Sequence, residues 1–248
     1  MSELKGRINS FESFALVDGP GVRYCVFLQG CRMRCKYCHN PETWANEGGT
    51  ELTSEELLKK VTRYRNYWSE DGGVTVSGGE PLLQLDFLTE FLTLCKAEGI
   101  NTCVDTSGNP FSMEPEYLER FDKLMAVTDL FMLDLKEIEP DKHKELTGQP
   151  NSNILEMAKY LSDNGKDMWI RHVLVPGLTD DEDGLKKTAD FIKSLKTVKK
   201  VEVLPYHTLG LSKWEKLGIP YPLDGVHVPS EELVCKAEEI LGADKHSN

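Results

Sequence analysis

The feature that most constrains this chain is a repeated rhythm. An extended apolar run ends in a polar cluster and is followed by a helical stretch, and this happens six times. The runs are Tyr24-Cys25-Val26-Phe27-Leu28, Gly73-Val74-Thr75-Val76, then NTCVDTSG from Asn101, DLFMLDLK from Asp129, MWIRHVLVPG from Met168 and KVEVLPYH from Lys200. Helices are expected from about Thr53, Leu85 and Pro115, across Ile154 to Leu161, and from Asp181 and Ser230. Thr53 and Glu56 have capping-box spacing, and Glu231 and Glu232 suit the first turn of the last helix. Units of roughly 25 to 40 residues imply parallel strands joined by right-handed crossovers. Such units build an open doubly wound sheet or a barrel, complete or partial. Both place active sites at the carboxyl ends of the strands. Those ends read Gln29-Gly30, Ser77-Gly78-Gly79-Glu80, Asp105-Thr106-Ser107, Asp134-Leu135-Lys136, Arg171-His172 and Tyr206-His207. A bland α/β domain carries one or two such groups by chance, not a set at the same end of every unit.

Bulk properties narrow the class. At 248 residues the chain can bury a full core, and no proline- or serine-rich linker breaks the rhythm. The expectation is one domain over 1–248, with its core at about 20–241 and a polar tail at 242–248. A net charge of −12 opposes general nucleic-acid binding. No apolar run approaches a membrane span, and no basic start leads into an apolar segment. The seven cysteines are an odd number, and three are too close together for a disulfide framework. Cys25, Cys95, Cys103 and Cys235 sit in apolar-periodic surroundings and are expected to be buried. A reducing cytoplasm fits this usage.

Cys31, Cys35 and Cys38 directly follow the first strand with C-x3-C-x2-C spacing. Structural zinc sites are usually four-coordinate and built from paired C-x2-C units. His39 is adjacent to Cys38 and poorly placed to share its metal, and neither His207 nor Cys103 belongs to a knuckle. A redox dithiol of Cys35 and Cys38 leaves Cys31 idle. An electron-transfer ferredoxin needs four thiolates per cubane. The remaining reading is a 4Fe–4S cluster on three cysteines whose fourth iron is open to a small molecule. Zinc or a non-enzymatic iron–sulfur protein that binds a partner is the alternative of a different class.

CRMRCKYCHN resembles the signature of the radical S-adenosylmethionine superfamily. VDGPGVR (Val17 to Arg23), YCHNPETW, SGGEPLLQ, VDTSG, DLK and LPYHTLG extend the resemblance over nearly the whole chain. Together they are similar to the glycyl-radical-enzyme activases, most of all to those acting on pyruvate formate-lyase. The resemblance implies a partial (β/α)6 TIM-like barrel. It implies reductive cleavage of S-adenosylmethionine to methionine and a 5'-deoxyadenosyl radical, which takes a hydrogen atom from a backbone glycine of the partner enzyme. Activation of another glycyl radical enzyme is the alternative within the family.

The same resemblance assigns roles to single residues. Cys31, Cys35 and Cys38 would hold the cluster, and Tyr37 would lie on the adenine side. Ser77, Gly78, Gly79 and Glu80 would hold the methionine amino group, with Asn40 as a further cofactor contact. Asp105, Thr106, the Met132 carbonyl and Asp134 would form a monovalent-cation site, for sodium or potassium, beside the cofactor. Lys136, Arg171 and His207 would surround its carboxylate and ribose. Asp18, Gly19 and Gly21 resemble the loop near the incoming peptide, although a tight turn would also need them. A flavodoxin or ferredoxin is the implied electron donor, the basic residues Arg32, Arg34 and Lys36 suit an acidic donor or partner, and a monomer is expected. Only Glu42 to Gly73 separate the cysteine segment from the second strand, with no cysteine among them. This departs from activases that carry an inserted ferredoxin-like segment.

These readings give a first prediction. Anaerobically reconstituted protein should bind about four irons per chain and, once reduced, release 5'-deoxyadenosine. Alanine at Cys31, Cys35 or Cys38 should abolish that release, whereas alanine at Cys95 should leave it mostly intact. An equally essential Cys95, or a colourless protein without nucleoside product, would overturn the open-iron reading.

Overall fold

The computed structural model describes residues 4–68 and 70–243. Residues 244–248 of the expected polar tail lie outside them. Strands β1 (Lys5–Ala15), β2 (Arg23–Leu28), β3 (Thr50–Thr53), β4 (Gly73–Gly78), β5 (Asn101–Thr106), β6 (Leu130–Asp134), β7 (Met168–Leu174) and β8 (Val198–Pro205) form an eight-stranded, mostly parallel sheet in the order β3-β1-β2-β4-β5-β6-β7-β8. By contacts the chain forms two compact units, one of Met1–Cys31 and Thr43–Met132, the other of Arg32–Glu42 and Leu133–Asn248.

The first unit contains β1 (Lys5–Ala15), β2 (Arg23–Leu28), β3 (Thr50–Thr53), α1 (Ser54–Val61), β4 (Gly73–Gly78), α2 (Leu85–Ala97), β5 (Asn101–Thr106) and α3 (Pro115–Ala126). β2, β4 and β5 run parallel, from Arg23 opposite Gly73 to Leu28 opposite Gly78, and from Gly73 opposite Asn101 to Val76 opposite Val104. The apolar runs are strands because both faces are covered: Tyr24, Cys25, Val26, Val74, Val76, Cys103 and Val104 are all buried. β1 and β3 are additions to the expected pattern. β1 pairs antiparallel with both β2 and β3. Its apolar residues are spread among exposed polar ones, so it lacks the continuous hydrophobic run of the parallel strands. α2 packs on β1 where Gly6 leaves room: a Cβ there would lie 2.2 Å from the Phe87 ring.

β6 (Leu130–Asp134) starts in the first unit and ends in the second. The second unit continues with α4 (Pro140–Thr147), α5 (Ser152–Asp163), β7 (Met168–Leu174), α6 (Glu182–Ser194), β8 (Val198–Pro205), α7 (Leu211–Leu217) and α8 (Glu231–Leu241). β7 and β8 pair in parallel, with α6 against α8 and α8 against β8. The expected helices are present, whereas α4 and α7 are short, polar-rich elements not anticipated from the sequence. Cys235 corrects another expectation. It is exposed on α8, while Ala237, Glu238 and Leu241 face inward.

The start of α1 bears out its capping box. Thr53 Oγ1 accepts from the Glu56 amide at 3.2 Å, and Glu56 accepts from the Thr53 amide at 2.9 Å. Thr53→Ala should therefore cost about 1 kcal/mol, read as a thermal midpoint lower by about 2–4 °C, with S-adenosylmethionine cleavage unchanged.

Candidate active site

In the first unit the site is built on the carboxyl ends of β4 and β5. Gly78 has a φ of +129°, and a Cβ there would lie 2.2 Å from the Leu28 amide nitrogen. A Cβ on Gly79 would lie 2.2 Å from the Gly30 carbonyl oxygen. Both glycines are thus required by the protein's own backbone: β2 and the start of the cysteine segment press against this turn. The Glu80 amide donates to that Gly30 carbonyl at 2.8 Å, and the Gly30 amide donates to Thr43 at 2.8 Å.

Glu80 is 1% exposed, and its two oxygens accept four hydrogen bonds. The donors are the Leu82 amide at 3.1 Å, the Thr106 hydroxyl at 2.5 Å, the Ser107 amide at 2.9 Å and the Ser107 hydroxyl at 2.5 Å. Burial raises its pKa, and these donors oppose the rise. A carboxylate offers about four lone-pair sites, so the expected pairing of Glu80 with an ammonium meets a side chain already filled. Its observed work is to clamp the β4 turn onto the end of β5. Beside it, the Ser77 hydroxyl donates to Asp105 Oδ2 at 2.6 Å. Met132 is fully buried on β6.

In the second unit two buried cations, Lys136 and Arg171, meet a half-buried carboxylate, Asp134. Lys136 Nζ donates to Asp134 Oδ2 at 2.9 Å, and Arg171 Nε donates to Oδ1 at 3.2 Å. Burial pushes the Asp134 carboxyl up, but the two cations outweigh it and hold it below the usual range. Burial likewise works against the Lys136 ammonium, yet Asp134 first, then Tyr37 and Cys35, raise it well above its ordinary value. The Lys136 ammonium lies 5.6 Å from the centre of the Tyr37 ring. The Tyr37 hydroxyl is buried without a hydrogen-bond partner, and burial raises its pKa. Burial pushes the Cys35 thiol up to about 11 against the pull of Lys136.

The cysteine loop is held from two sides within this unit. The Arg34 and Lys36 amides donate to the Thr147 and Leu146 carbonyls at the end of α4, at 2.7 and 3.0 Å. Around α7, Trp214 Nε1 donates to the Cys38 carbonyl at 2.8 Å. Lys213 Nζ reaches Asn40 Oδ1 and Glu42 Oε1, each at 2.6 Å. The His39 and His207 rings stack at 4.1 Å, and His39 Nε2 lies 3.2 Å from the His207 carbonyl. Burial first, then His207, lowers the pKa of His39 to about 4. A neutral imidazole is therefore the stacked form at pH 7.

The sequence-predicted residues fall into local groups. Ser77, Gly78, Gly79, Glu80, Asp105 and Thr106 come together in the first unit, and Asp134, Lys136, Arg171, Tyr37 and Cys35 in the second. Cys31 belongs to the first unit, Cys35 and Cys38 to the second. Among the described residues no three His, Cys, Asp or Glu side chains form a ready-made metal site. Fit to a cluster therefore rests on the donor chemistry of three thiols in one loop and on the orphaned Tyr37 hydroxyl beside Cys35 and Lys136. Sequence reasoning named Ser107 among the strand ends without a role, and it missed Lys213, Trp214 and the imidazole stack. The only signal for the α7 pair was its position directly after LPYHTLG.

Asp18, Gly19 and Gly21 lie elsewhere in the first unit, at the amino end of β2. Gly19 and Gly21 have φ of +123° and +66°, which accounts for both glycines as turn residues. The Asp18 carbonyl accepts from Thr75 Oγ1 at 2.6 Å.

Comparison with known proteins places these features in a family. Residues 25–192 match the family model described as Radical SAM superfamily. The chain is 52% identical to the pyruvate formate-lyase-activating enzyme of Streptococcus mutans over 246 residues, 98% of this chain and 94% of that one. It is 51% identical to the enzyme of the same name from Listeria monocytogenes, over 97% of this chain and 98% of that one. Among solved structures, a domain of pyruvate-formate lyase-activating enzyme from Bacteroides vulgatus superposes with a TM-score of 0.56 at 31% identity, covering 69% of this chain and 93% of that one. The chain belongs to the radical SAM superfamily and, within it, to the family of pyruvate formate-lyase-activating enzymes.

Proposed function

We propose that this protein activates pyruvate formate-lyase by abstracting a hydrogen atom from one of its backbone glycines. The observation that carries the reading is identity of about half the residues with activating enzymes over nearly the full length of both chains. Cys31, Cys35 and Cys38 would hold a 4Fe–4S cluster, and the chain as a whole would act as one radical SAM domain. When bound, the cluster and S-adenosylmethionine supply one-electron cleavage of the sulfonium and so the hydrogen-abstracting group.

The chain's own part is positioning and exclusion of water. Lys136 and Arg171 offer buried positive charge suited to a carboxylate, and Asp134 fixes both in place. Ser77 and Asp105 present a hydroxyl and a carboxylate at neighbouring strand ends. Trp214 and Lys213 hold the loop that carries Cys38 and Asn40. No general acid or base is needed, because a hydrogen atom moves rather than a proton.

Finer parts of the reading follow from family resemblance. The hard oxygens of Asp105, Thr106, the Met132 carbonyl and Asp134 would bind sodium or potassium. Lys136 and Arg171 compete there for the oxygens of Asp134. A flavodoxin or ferredoxin would deliver the electron, and the protein would act as a cytoplasmic monomer; among the described residues no helix is long and apolar enough to cross a membrane.

The test mixes reconstituted protein, S-adenosylmethionine and a reductant with pyruvate formate-lyase and, separately, with other glycyl radical enzymes. A glycine-centred doublet by electron paramagnetic resonance in pyruvate formate-lyase is expected. A doublet only in another enzyme would redirect the substrate, and none with any would overturn the function. A further prediction concerns the loop. Trp214→Phe keeps a ring beside Tyr221 but removes the donor to Cys38, a loss of about 1 kcal/mol. Iron content after reconstitution should fall and the cluster's visible absorbance should decay faster in air, while the far-ultraviolet dichroism of the protein stays unchanged.

A further inference from the structure

β7 and β8 pair in parallel, with Trp169 opposite Lys200 and Arg171 opposite Glu202. Residues paired across neighbouring strands share a face and lie about 4.8 Å apart. Ile170, Val201 and Val203 are buried on the other face of these two strands. Trp169, Arg171, Lys200 and Glu202 therefore form one patch, on the face where Arg171 meets Asp134.

Within this patch Glu202 has an unexplained feature. Its side chain is 13% exposed, and its Oε1 accepts from Lys200 Nζ at 2.7 Å. Its Oε2 is buried with no hydrogen-bond partner. Lys200 is itself held, with its ammonium 4.6 Å from the centre of the Trp169 ring. A buried carboxylate oxygen without a donor is costly, so stability alone does not call for it. The cation beside Glu202 in register is Arg171. β7 lies between β6 and β8 in the sheet, so Arg171 stands between the carboxylates of Asp134 and Glu202. Its Nε donates to Asp134 at 3.2 Å, long for a charge-assisted bond, while Lys136 takes the other Asp134 oxygen at 2.9 Å. One carboxylate is thus shared by two cations, and the other keeps an oxygen without a partner.

We propose that Glu202 is a positioning residue for Arg171. Anchored by Lys200, it holds a carboxylate oxygen in reserve beside the guanidinium. Arg171 then keeps its place when the carboxylate of a bound ligand draws it away from Asp134. This deepens the proposed function and rests on it: the ligand is S-adenosylmethionine, and the effect falls on its binding rather than on assembly of the cluster.

The test measures equilibrium binding of S-adenosylmethionine to the reconstituted full chain and to Glu202→Gln, Lys200→Met and their double variant, with iron content read on each. Charge alone predicts opposite effects, because Glu202→Gln removes a negative group and Lys200→Met a positive one. Positioning predicts weaker binding from both. We expect a loss of about tenfold for Glu202→Gln and about threefold for Lys200→Met, with the double variant no weaker than Glu202→Gln. Iron content should stay at the parent's level. In an Arg171→Lys background, where the planar fork is gone, Glu202→Gln should change the affinity by less than about twofold. Unchanged or tighter binding in Glu202→Gln would overturn the proposal. So would opposite shifts from the two single variants, a fall in affinity matched by a fall in iron, or an effect of full size in the Arg171→Lys background. A parent chain that holds its cluster but binds no S-adenosylmethionine would instead overturn the functional reading, and the role of Glu202 with it. Normal binding by the parent with no loss in Glu202→Gln sinks the positioning role alone.

Discussion

The parallel register of β2 on β4 is the constraint on which the first unit's half of the site depends. With Leu28 opposite Gly78 and Arg23 opposite Gly73, the two strands begin and end at the same levels. At the upper level the backbones come so close that Gly78 and Gly79 cannot carry a Cβ, and Glu80 and Gly30 are joined by a backbone hydrogen bond. The first residues of the cysteine segment are thereby fixed by the turn that follows β4. At the lower level the same register puts Arg23 within reach of Thr75 and Asn101. A slip of one residue would turn Ser77 and Thr75 to the opposite face and remove both levels at once.

Buried charge is the second theme, and the two units handle it differently. Glu80 is satisfied entirely by hydroxyl and amide donors. Asp134 is satisfied by two cations, Lys136 and Arg171. Replacing such a buried ion group with apolar residues of equal volume is often neutral or stabilising.

How much of this was legible in the sequence depends on whether the signal was local. The strands β2, β4, β5, β6, β7 and β8 were legible because each is an extended run with apolar residues in it that polar residues close. β1 was not, because Ile8, Phe11 and Phe14 are separated by residues that face solvent. α7 was hidden in a short, lysine-containing stretch whose importance comes from one indole N–H and one ammonium group reaching a distant loop. Glu80, Gly78 and Gly79 were recognised as a motif, but the sequence could not reveal that the chain itself uses both glycines and all four acceptor sites of the carboxylate. His207 stood out as a strand-end histidine, whereas its stacking on His39 joins residues 168 positions apart. Pairings of that kind follow from the completed fold and leave no periodicity behind.

The cysteine loop and the turn before β2 are held by opposite means, and the contrast follows from what each is built of. The cysteine loop has few apolar residues of its own, so its backbone is captured from outside, by carbonyls at the end of α4 and by the indole and ammonium of α7. These contacts reach the backbone at Arg34, Lys36 and Cys38 and the side chains of Asn40 and Glu42. The turn before β2 is held from inside, by one guanidinium on its own strand that binds Pro20 directly and Asp18 through Thr75. Leu16 and Val17, just before it, are exposed. Outside capture fixes a loop with little core of its own, and inside anchoring fixes a turn through the strand that follows it.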